Sequence, residues 1–389
     1  MTYLTMKGFN KTTPPTKTFT ISRTEQSNMS SGWTYSDDAT WLTAGDGAFD
    51  DFFWYSAVLL NTSWVETAEM TQSWWVFTGA MSTLGNITSG DNVMIKFPVR
   101  GIKMSKSWSV VTLSITDGIG RESEWFQYYA FQNTWDINAN ILTTVETKPL
   151  YIWAYLGYLT SSTLKSWSGK TPTSNYSFSD FLTYAWNNWT WWTIIWFYQR
   201  MLIDAYYMMK YGNPNSQSVI WYWYVWGSSA TSTWWTNSQT NATYWSPYST
   251  TANIKLFWIE DRWGNLNEWT WWAFRRSWSI YTALHDFTAS TSTSQSQYKN
   301  AWWTYDIEST SNNIYSIIGD SKWMFVPYQA SYNTSYNTYY CDYTYMGSNN
   351  LCVFGGTYSW WNYAGIFHTA FSWSYDSYSW TIGTRLMYL

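Results

Sequence analysis

The spacing of apolar positions along this chain divides it into a polar start, a strand-and-turn region, a helical middle and a long stretch of short strands. Residues 1 to about 35 are polar and include Thr13-Pro-Pro-Thr16 and Ser30-Ser-Gly32, which reads as an extended arm or attachment segment. From Asp37 to about Gly85, short apolar runs such as Phe52-Phe-Trp-Tyr55, Val58-Leu-Leu60 and Trp74-Trp-Val-Phe77 alternate with turn residues. Val93-Met-Ile-Lys-Phe97 and Val110-Val-Thr-Leu-Ser-Ile115 are β-branched runs bounded by Gly and Asp, the signature of strands. Two helices follow. Ser177-Phe-Ser-Asp180 supplies a hydroxyl and a carboxylate to the first orphan N–H groups of a helix running to about Trp186. The second is predicted from about residue 193 to 211, with Ile194, Phe197, Tyr198, Met201, Ala205, Met208 and Met209 on one face. Arg200 and Asp204 stand at i,i+4, and Gly212 with Pro214 beyond it ends the helix. The Met and aromatic stripe reads as core rather than as a cofactor pocket.

After Gln217 the pattern is short strands between long Ser/Thr/Asn loops. Loops of that length are functional or mobile. The last stretch opens on Gly355-Gly356, passes through a block of Tyr, Trp, Asn, Ser and Asp, and closes on Arg385-Leu-Met-Tyr-Leu389. An apolar terminus of this kind predicts a C-terminus tied into a sheet. Helices in the middle with strands around them predict an α+β fold.

Composition narrows the function classes. The 389 residues carry a net charge of -4 and are 12% charged, against about 25% in an ordinary domain. Scattered Lys and Arg give no basic footprint for nucleic acid or anionic lipid, and stacking on single-stranded bases also needs a basic groove. Aromatic residues make up 23%, far from the composition of a disordered chain. No run approaches the ~20 apolar residues of a membrane span, and Met1-Thr-Tyr-Leu-Thr-Met-Lys-Gly8 has no apolar core of signal-peptide length. Cys341 and Cys352 read either as one disulfide between neighbouring strands or as two buried thiols.

Catalytic signatures are few. His285 and His368 have no Cys partner at metal spacing. Neither a His-Glu-x-x-His nor a Gly-x-Ser-x-Gly motif occurs, and Ser168-Gly-Lys170 lacks the preceding glycine of a phosphate loop. The neighbouring carboxylates Glu260-Asp261 and Asp50-Asp51 say nothing about a glycosidase pair, whose spacing is spatial. The expectation is a protein that is not an enzyme and takes no cofactor and no metal.

Three segments, taken in order, carry a resemblance. They are Leu150-Tyr-Ile-Trp-Ala-Tyr-Leu-Gly157 with Ser168-Gly-Lys-Thr-Pro-Thr173; the second helix running into Tyr211-Gly-Asn-Pro-Asn-Ser-Gln-Ser-Val219; and Ile259-Glu-Asp-Arg-Trp-Gly-Asn-Leu-Asn-Glu-Trp-Thr270, which precedes the Gly-Gly block. In this order they resemble the C-type-lectin fold of the formylglycine-generating-enzyme type. The closest likeness is to variants in phage and prophage tail proteins, some of them targets of diversity-generating retroelements. Gly47-Ala-Phe-Asp-Asp-Phe-Phe53 and Asp91-Asn-Val-Met-Ile-Lys-Phe-Pro98 are similar to upstream segments of such proteins. The match covers roughly 90–389, which the resemblance implies to be a C-type-lectin-like domain, leaving 1–35 as an arm or attachment segment and 36–89 as a small β-rich region. It also implies a variable C-terminal binding face for a host cell-surface protein or glycan. The setting would be the virion, at a phage tail tip or fibre beside other tail proteins, in a homo-oligomer, commonly a trimer, made in the host cytoplasm. The oxidase activity of formylglycine-generating enzymes is not carried over, because Cys341 and Cys352 do not sit in a matching context.

The ligand-binding residues this points to are Tyr358, Trp360, Trp361, Asn362, Tyr363, His368, Ser372, Ser374, Tyr375, Asp376 and Tyr378. Their composition fits a binding surface by itself, since rigid aromatics give contact area at low entropy cost and short polar residues give adaptable hydrogen bonds. Phe354, Ile366, Phe367 and Ile382 read as core. Two other functions are consistent with the same residues: a carbohydrate-binding module, and a purely structural tail or baseplate protein.

Tryptophan is the remaining oddity. There are 35 Trp and only 21 Gly, fewer than the usual ~7% of Gly. Six Trp-Trp pairs occur, Trp234-Trp235 and Trp360-Trp361 among them. In a strand the two members face opposite sides, which often leaves one of them exposed. Positions such as Trp41, Trp54, Trp153, Trp189, Trp191, Trp221, Trp223, Trp234, Trp235, Trp245, Trp258 and Trp272 stand where the resembled proteins commonly have glycine. One reading is an aromatic-rich surface; the other is that these are UGA codons which the native host reads as glycine.

Overall fold

The computed structural model describes residues 16–25, 33–63, 65–71, 76–77, 87–131, 148–188, 192–220, 224–225, 227–233, 243–244, 253–276, 279–282, 299–300, 312–317, 319–320, 324–330, 340, 342–347, 350–360 and 363–388. The fold is α+β, with strands greatly outnumbering helices. Two sheets dominate. In the first, strands run in the order Thr193–Ile194, Leu386–Tyr388, Leu150–Trp153, Asn92–Phe97, Ser56–Leu60, Glu66–Thr71, Val76–Phe77. The second is built around Asn267–Arg276, Asn350–Phe354, Thr369–Trp373 and Tyr343–Met346. A four-stranded sheet carries Thr18–Thr24 between Thr34–Asp37 and Val110–Thr116, with Gly101–Ser107 outside.

These pairings revise the domain boundaries read from the sequence. Thr18–Thr24 is no arm: it pairs along its whole length with Val110–Thr116, and Phe19 and Ile21 lie in the core. Glu25, which follows it, is buried and accepts hydrogen bonds from Ser316 Oγ at 2.9 Å, Ile317 N at 3.1 Å and Tyr340 OH at 3.2 Å. The region 36–89 is likewise no separate unit, because Ser56–Leu60 pairs with Asn92–Phe97 inside the first sheet. Part of it is helical: α1, Ala48–Phe53, buries Phe49, Phe52 and Phe53. Residues 1–15 and 26–32 of the expected arm lie outside the described residues.

The capping box predicted at Ser177 is present. Ser177 Oγ accepts from Asp180 N at 3.1 Å, and Asp180 Oδ2 accepts from Ser177 N at 3.0 Å, opening α2, Phe178–Trp186. The next helix, α3, is Phe197–Tyr211, one turn shorter than its apolar spacing predicts. Thr193–Ile194 is instead a short strand against Leu386–Tyr388, which suits the β-branched run Thr193-Ile-Ile195. Every residue of α3 from Phe197 to Lys210 is buried, so the helix is enclosed on all sides rather than on one stripe. Gly212 closes it in the left-handed region at φ +57, and a Cβ there would lie 3.2 Å from Tyr35 OH.

A buried network of arginine and carboxyl side chains joins α3 to both sheets. Arg200 Nη1 lies 3.5 Å from Asp204 Oδ1, Arg262 Nη2 lies 3.4 Å from the same oxygen, and Arg262 Nη1 lies 3.8 Å from Glu268 Oε1. Arg385 completes it through Glu268 and donates to the carbonyls of Trp153 at 2.8 Å and Glu260 at 2.7 Å. These side chains are at most 2% exposed. Buried charges are costly unless paired and hydrogen-bonded; here Arg385 is well supplied with acceptors, whereas Arg200 Nε and Nη1, Arg262 Nε and Nη1 and Asp204 Oδ2 make no hydrogen bond. Arg385 lies between strands rather than within one. Ile382–Gly383 pairs parallel with Asn267–Arg276, whereas Leu386–Tyr388 enters the other sheet. The C-terminus is tied in as predicted, but through a crossover between sheets.

Candidate functional site

The C-terminal block is set on this frame by tight backbone contacts. Gly355 and Gly356 have φ of +94 and +79, a conformation that only glycine adopts without strain. Gly356 N donates to Asn267 Oδ1 at 2.8 Å, Gly264 N donates to Gly355 O at 3.1 Å, and Gly355 N donates to His368 O at 3.2 Å. A Cβ on Gly356 would lie 2.6 Å from Ala364 Cα, so the turn is clamped on the segment it precedes. Asp342 braces the same segment from below. Its Oδ2 accepts from Phe367 N at 2.7 Å, and burial raises its carboxyl well above the usual range.

The binding residues predicted from sequence separate into groups on this frame. His368 and Tyr358 are not surface residues. His368 is fully buried; its Nδ1 is 3.1 Å from the Tyr363 carbonyl, which sets Nδ1 as the protonated nitrogen, and burial pushes its pKa down to about 3. Trp360 meets its ring edge-on at 4.7 Å. Tyr358 is 8% exposed and packs with Leu156 and Leu266; its aromatic body belongs to the core because the turn directs it inward. Trp361 and Asn362 lie outside the described residues.

Tyr363 and Trp360 join two residues the sequence reading missed. Tyr343 and Tyr345 alternate with buried Thr344 and Met346, so both project from one face of their strand. Ring centroids are 4.8 Å apart for Tyr363–Tyr343, 4.8 Å for Tyr343–Tyr345 and 5.0 Å for Tyr345–Trp360. The four rings make a continuous row of partly exposed aromatics. The signal was present as Asp342-Tyr-Thr-Tyr-Met346, an apolar-polar alternation hidden in a Tyr-rich background.

The rest lies at and beyond the far end of the Thr369–Trp373 strand, from Ser372 within it to Tyr378. From Ser372 to Trp380 exposure alternates strictly: Ser372, Ser374, Asp376, Tyr378 and Trp380 face solvent, and the residues between are partly buried. Tyr375 belongs to the inner set and lies 5.4 Å from the Phe178 ring at the start of α2. Burial, and then Asp376 and Asp180, raise its hydroxyl pKa. Ser374 and Ser377 close a small turn through their hydroxyls at 2.6 Å, and Asn175 N donates to Ser379 O at 2.8 Å. Tyr378 and Trp380 project freely, at 69% and 68% exposure.

Such a surface can offer flat aromatic faces, phenolic hydroxyls, serine hydroxyls and one carboxylate. Among the described residues, no three His, Cys, Asp or Glu side chains come together as a metal site, and no helix is long and apolar enough to cross a membrane. Cys352 is buried, and Cys341 lies outside the described residues. Compared with known proteins, the chain matches no protein-family model, and no curated protein matches it in sequence.

Proposed function

We propose that this chain is a non-enzymatic receptor-binding protein that presents its C-terminal segment to a host cell-surface protein or glycan. In this reading it is a C-type-lectin-like domain at a phage tail tip or fibre, working as a homo-oligomer. The observation that carries the proposal is the combination of exposed, chemically adaptable side chains with a backbone that is clamped beneath them. Tyr363, Tyr378 and Trp380 are exposed, and the chain carrying them is held by the Gly355–Gly356 turn, the Asp342 brace and the Arg385 network. Preorganised aromatic anchors with short polar neighbours are the economy of a paratope. The lectin-like part of the reading is supported by α2 and α3 and by the C-terminal strand that returns beside Leu150–Trp153.

A carbohydrate ligand is the second reading, favoured by the row Tyr363–Tyr343–Tyr345–Trp360, since aromatic faces with polar tips suit amphipathic ligands. Binding of the purified protein to cells of its host, before and after enzymatic removal of surface protein or of surface glycan, tests both. Loss after protease supports a protein receptor, and loss after glycan removal supports the carbohydrate reading. No binding to any host cell surface would remove the proposal.

A further inference from the structure

Among the described residues, four tryptophans occupy backbone positions built for glycine. Trp54 caps α1 in the left-handed region at φ 50, ψ 46, its N–H donating to Asp50 O. Trp125 does the same for the short 3-10 helix Glu122–Glu124, at φ 72, ψ 15. These are the left-handed C-cap positions at which helices commonly place glycine. Trp108 is the first residue of the two-residue loop between Gly101–Ser107 and Val110–Thr116, with φ 56, while Ser109 has no positive φ. That pattern is the one in which a II′ hairpin turn takes glycine first. Trp258 is the second residue of the Phe257-Trp258 loop joining Ile254–Leu256 to Ile259–Glu260, and both loop residues have positive φ, 49 and 64. A I′ turn takes Asn-Gly or Asp-Gly there, with glycine second.

A bulky residue at positive φ is an outlier that something else must hold in place. For the two phenylalanines in this region burial does so: Phe257 and Phe325 are 0% and 4% exposed. Trp54, Trp108 and Trp125 are 69%, 94% and 77% exposed, so no packing offsets their strain; Trp258 is half-buried against the core with Lys255 Nζ 5.0 Å from its ring centroid, and for it the turn type alone carries the argument. General aromatic richness does not account for the pattern either. The chain has 34 Tyr against 35 Trp, yet no described tyrosine has positive φ. Glycines at Gly45, Gly90 and Gly120 adopt φ of +86, +82 and +80 in open space, the same kind of environment.

We propose that the protein made in its natural cell carries glycine at positions 54, 108, 125 and 258, the codons there being UGA read as glycine rather than as tryptophan. A consequence follows for the binding face. With those indoles gone, the exposed large aromatics among the described residues are Trp41, Tyr363, Tyr378 and Trp380, three of which belong to the C-terminal block.

The test is peptide mass spectrometry of protein isolated from its natural source, read beside the gene. Each peptide covering positions 54, 108, 125 or 258 should be lighter than the tryptophan-containing sequence by an indolylmethyl group exchanged for hydrogen. Peptides covering Trp263 and Trp269, which are 1% and 0% exposed and have no positive φ, should keep their indoles and be encoded by UGG. Indole at the four sites, or UGG codons there, overturns the proposal. Recombinant variants test the geometry independently. Trp54→Gly, Trp108→Gly and Trp125→Gly should each raise the thermal midpoint, whereas Trp→Ala at the same positions should not, because alanine keeps the left-handed penalty. Equal behaviour of the Gly and Ala variants would remove the premise and the proposal with it.

Discussion

Arg385 reaches Glu268 across 117 residues of chain, with Nε 3.3 Å from Oε2 and both side chains at most 2% exposed. The contact lies where the chain passes from one sheet to the other, and it links to α3 through Arg262 and Asp204. Truncating one partner should therefore do more than loosen a terminus. Arg385→Leu leaves Glu268 with Arg262 at 3.8 Å and strips the donors from the Trp153 and Glu260 carbonyls. Removing one member of a buried pair costs about 3–5 kcal/mol. Denaturant unfolding of Arg385→Leu, Glu268→Leu and the double variant checks this, with the double variant expected to lose less than the two single losses added together.

Two buried groups give the stability opposite dependences on pH. Burial lowers His368 to about 3, so between that value and its ordinary ~6.5 the unfolded chain binds the proton that the folded chain refuses. Stability contributed this way is complete above about 6.5 and is lost as pH falls toward 3. Asp204 runs the other way. Burial, only partly offset by Arg200, raises it to about 7, so its contribution is complete below its ordinary ~3.9 and is lost as pH rises through 7. His368→Gln should flatten the acid limb of a stability–pH curve, and Asp204→Asn should flatten the limb between pH 4 and 7. An unchanged slope in either variant would show that the named group does not titrate as described.

The Gly355–Gly356 turn can be separated from ordinary glycine freedom. Gly45 has φ +86 with nothing near its absent Cβ, whereas Gly356 has φ +79 with Ala364 Cα 2.6 Å away. Gly45→Ala should cost only the left-handed penalty, roughly 1–2 kcal/mol. Gly356→Ala adds overpacking against backbone, about 1–3 kcal/mol more. Equilibrium unfolding of the two variants measures the difference, and equal losses would mean that the turn is not clamped on residue 364.

What could be read from sequence was what depends on local chemistry. The Ser177–Asp180 capping box, the Gly212 stop, the Val93 and Val110 strands and the tied C-terminus all follow from a few neighbouring residues. The arm that proved to be a strand shows where this fails. Thr18–Thr24 finds its partner about ninety residues away in Val110–Thr116, and strand pairing at that range leaves no mark in local periodicity. The same reason hid the end of α3, because Thr193–Ile194 is claimed by the last strand. At the candidate site, residue type pointed to the right segment but not to which side chains face out. His368 and Tyr358 turn inward through backbone contacts of the Gly-Gly turn, and Tyr343 and Tyr345 join from a strand that the Tyr-rich composition concealed.

The binding face makes the sharpest functional prediction. Tyr363 and Tyr378 are exposed at 39% and 69%, so their truncation to alanine should leave the fold intact. Tyr375 packs at a tilt against Phe178 and Tyr358 lies in the core, so their truncation should lower stability before it affects binding. Aromatic anchors at the centre of an interface commonly cost about 2 kcal/mol or more when truncated, which is roughly thirtyfold in affinity for each residue. Titration of host-cell binding with Tyr363→Ala and Tyr378→Ala, each checked for an unchanged unfolding midpoint, measures this. The two groups sit at opposite ends of Thr369–Trp373, so the variants also say how far the ligand extends. Loss with both means a ligand that reaches both groups. Loss with Tyr363→Ala alone confines it to the row with Tyr343, Tyr345 and Trp360. Loss with Tyr378→Ala alone confines it to the alternating segment 372–380. Undiminished binding by both variants would take the ligand away from the C-terminal block altogether.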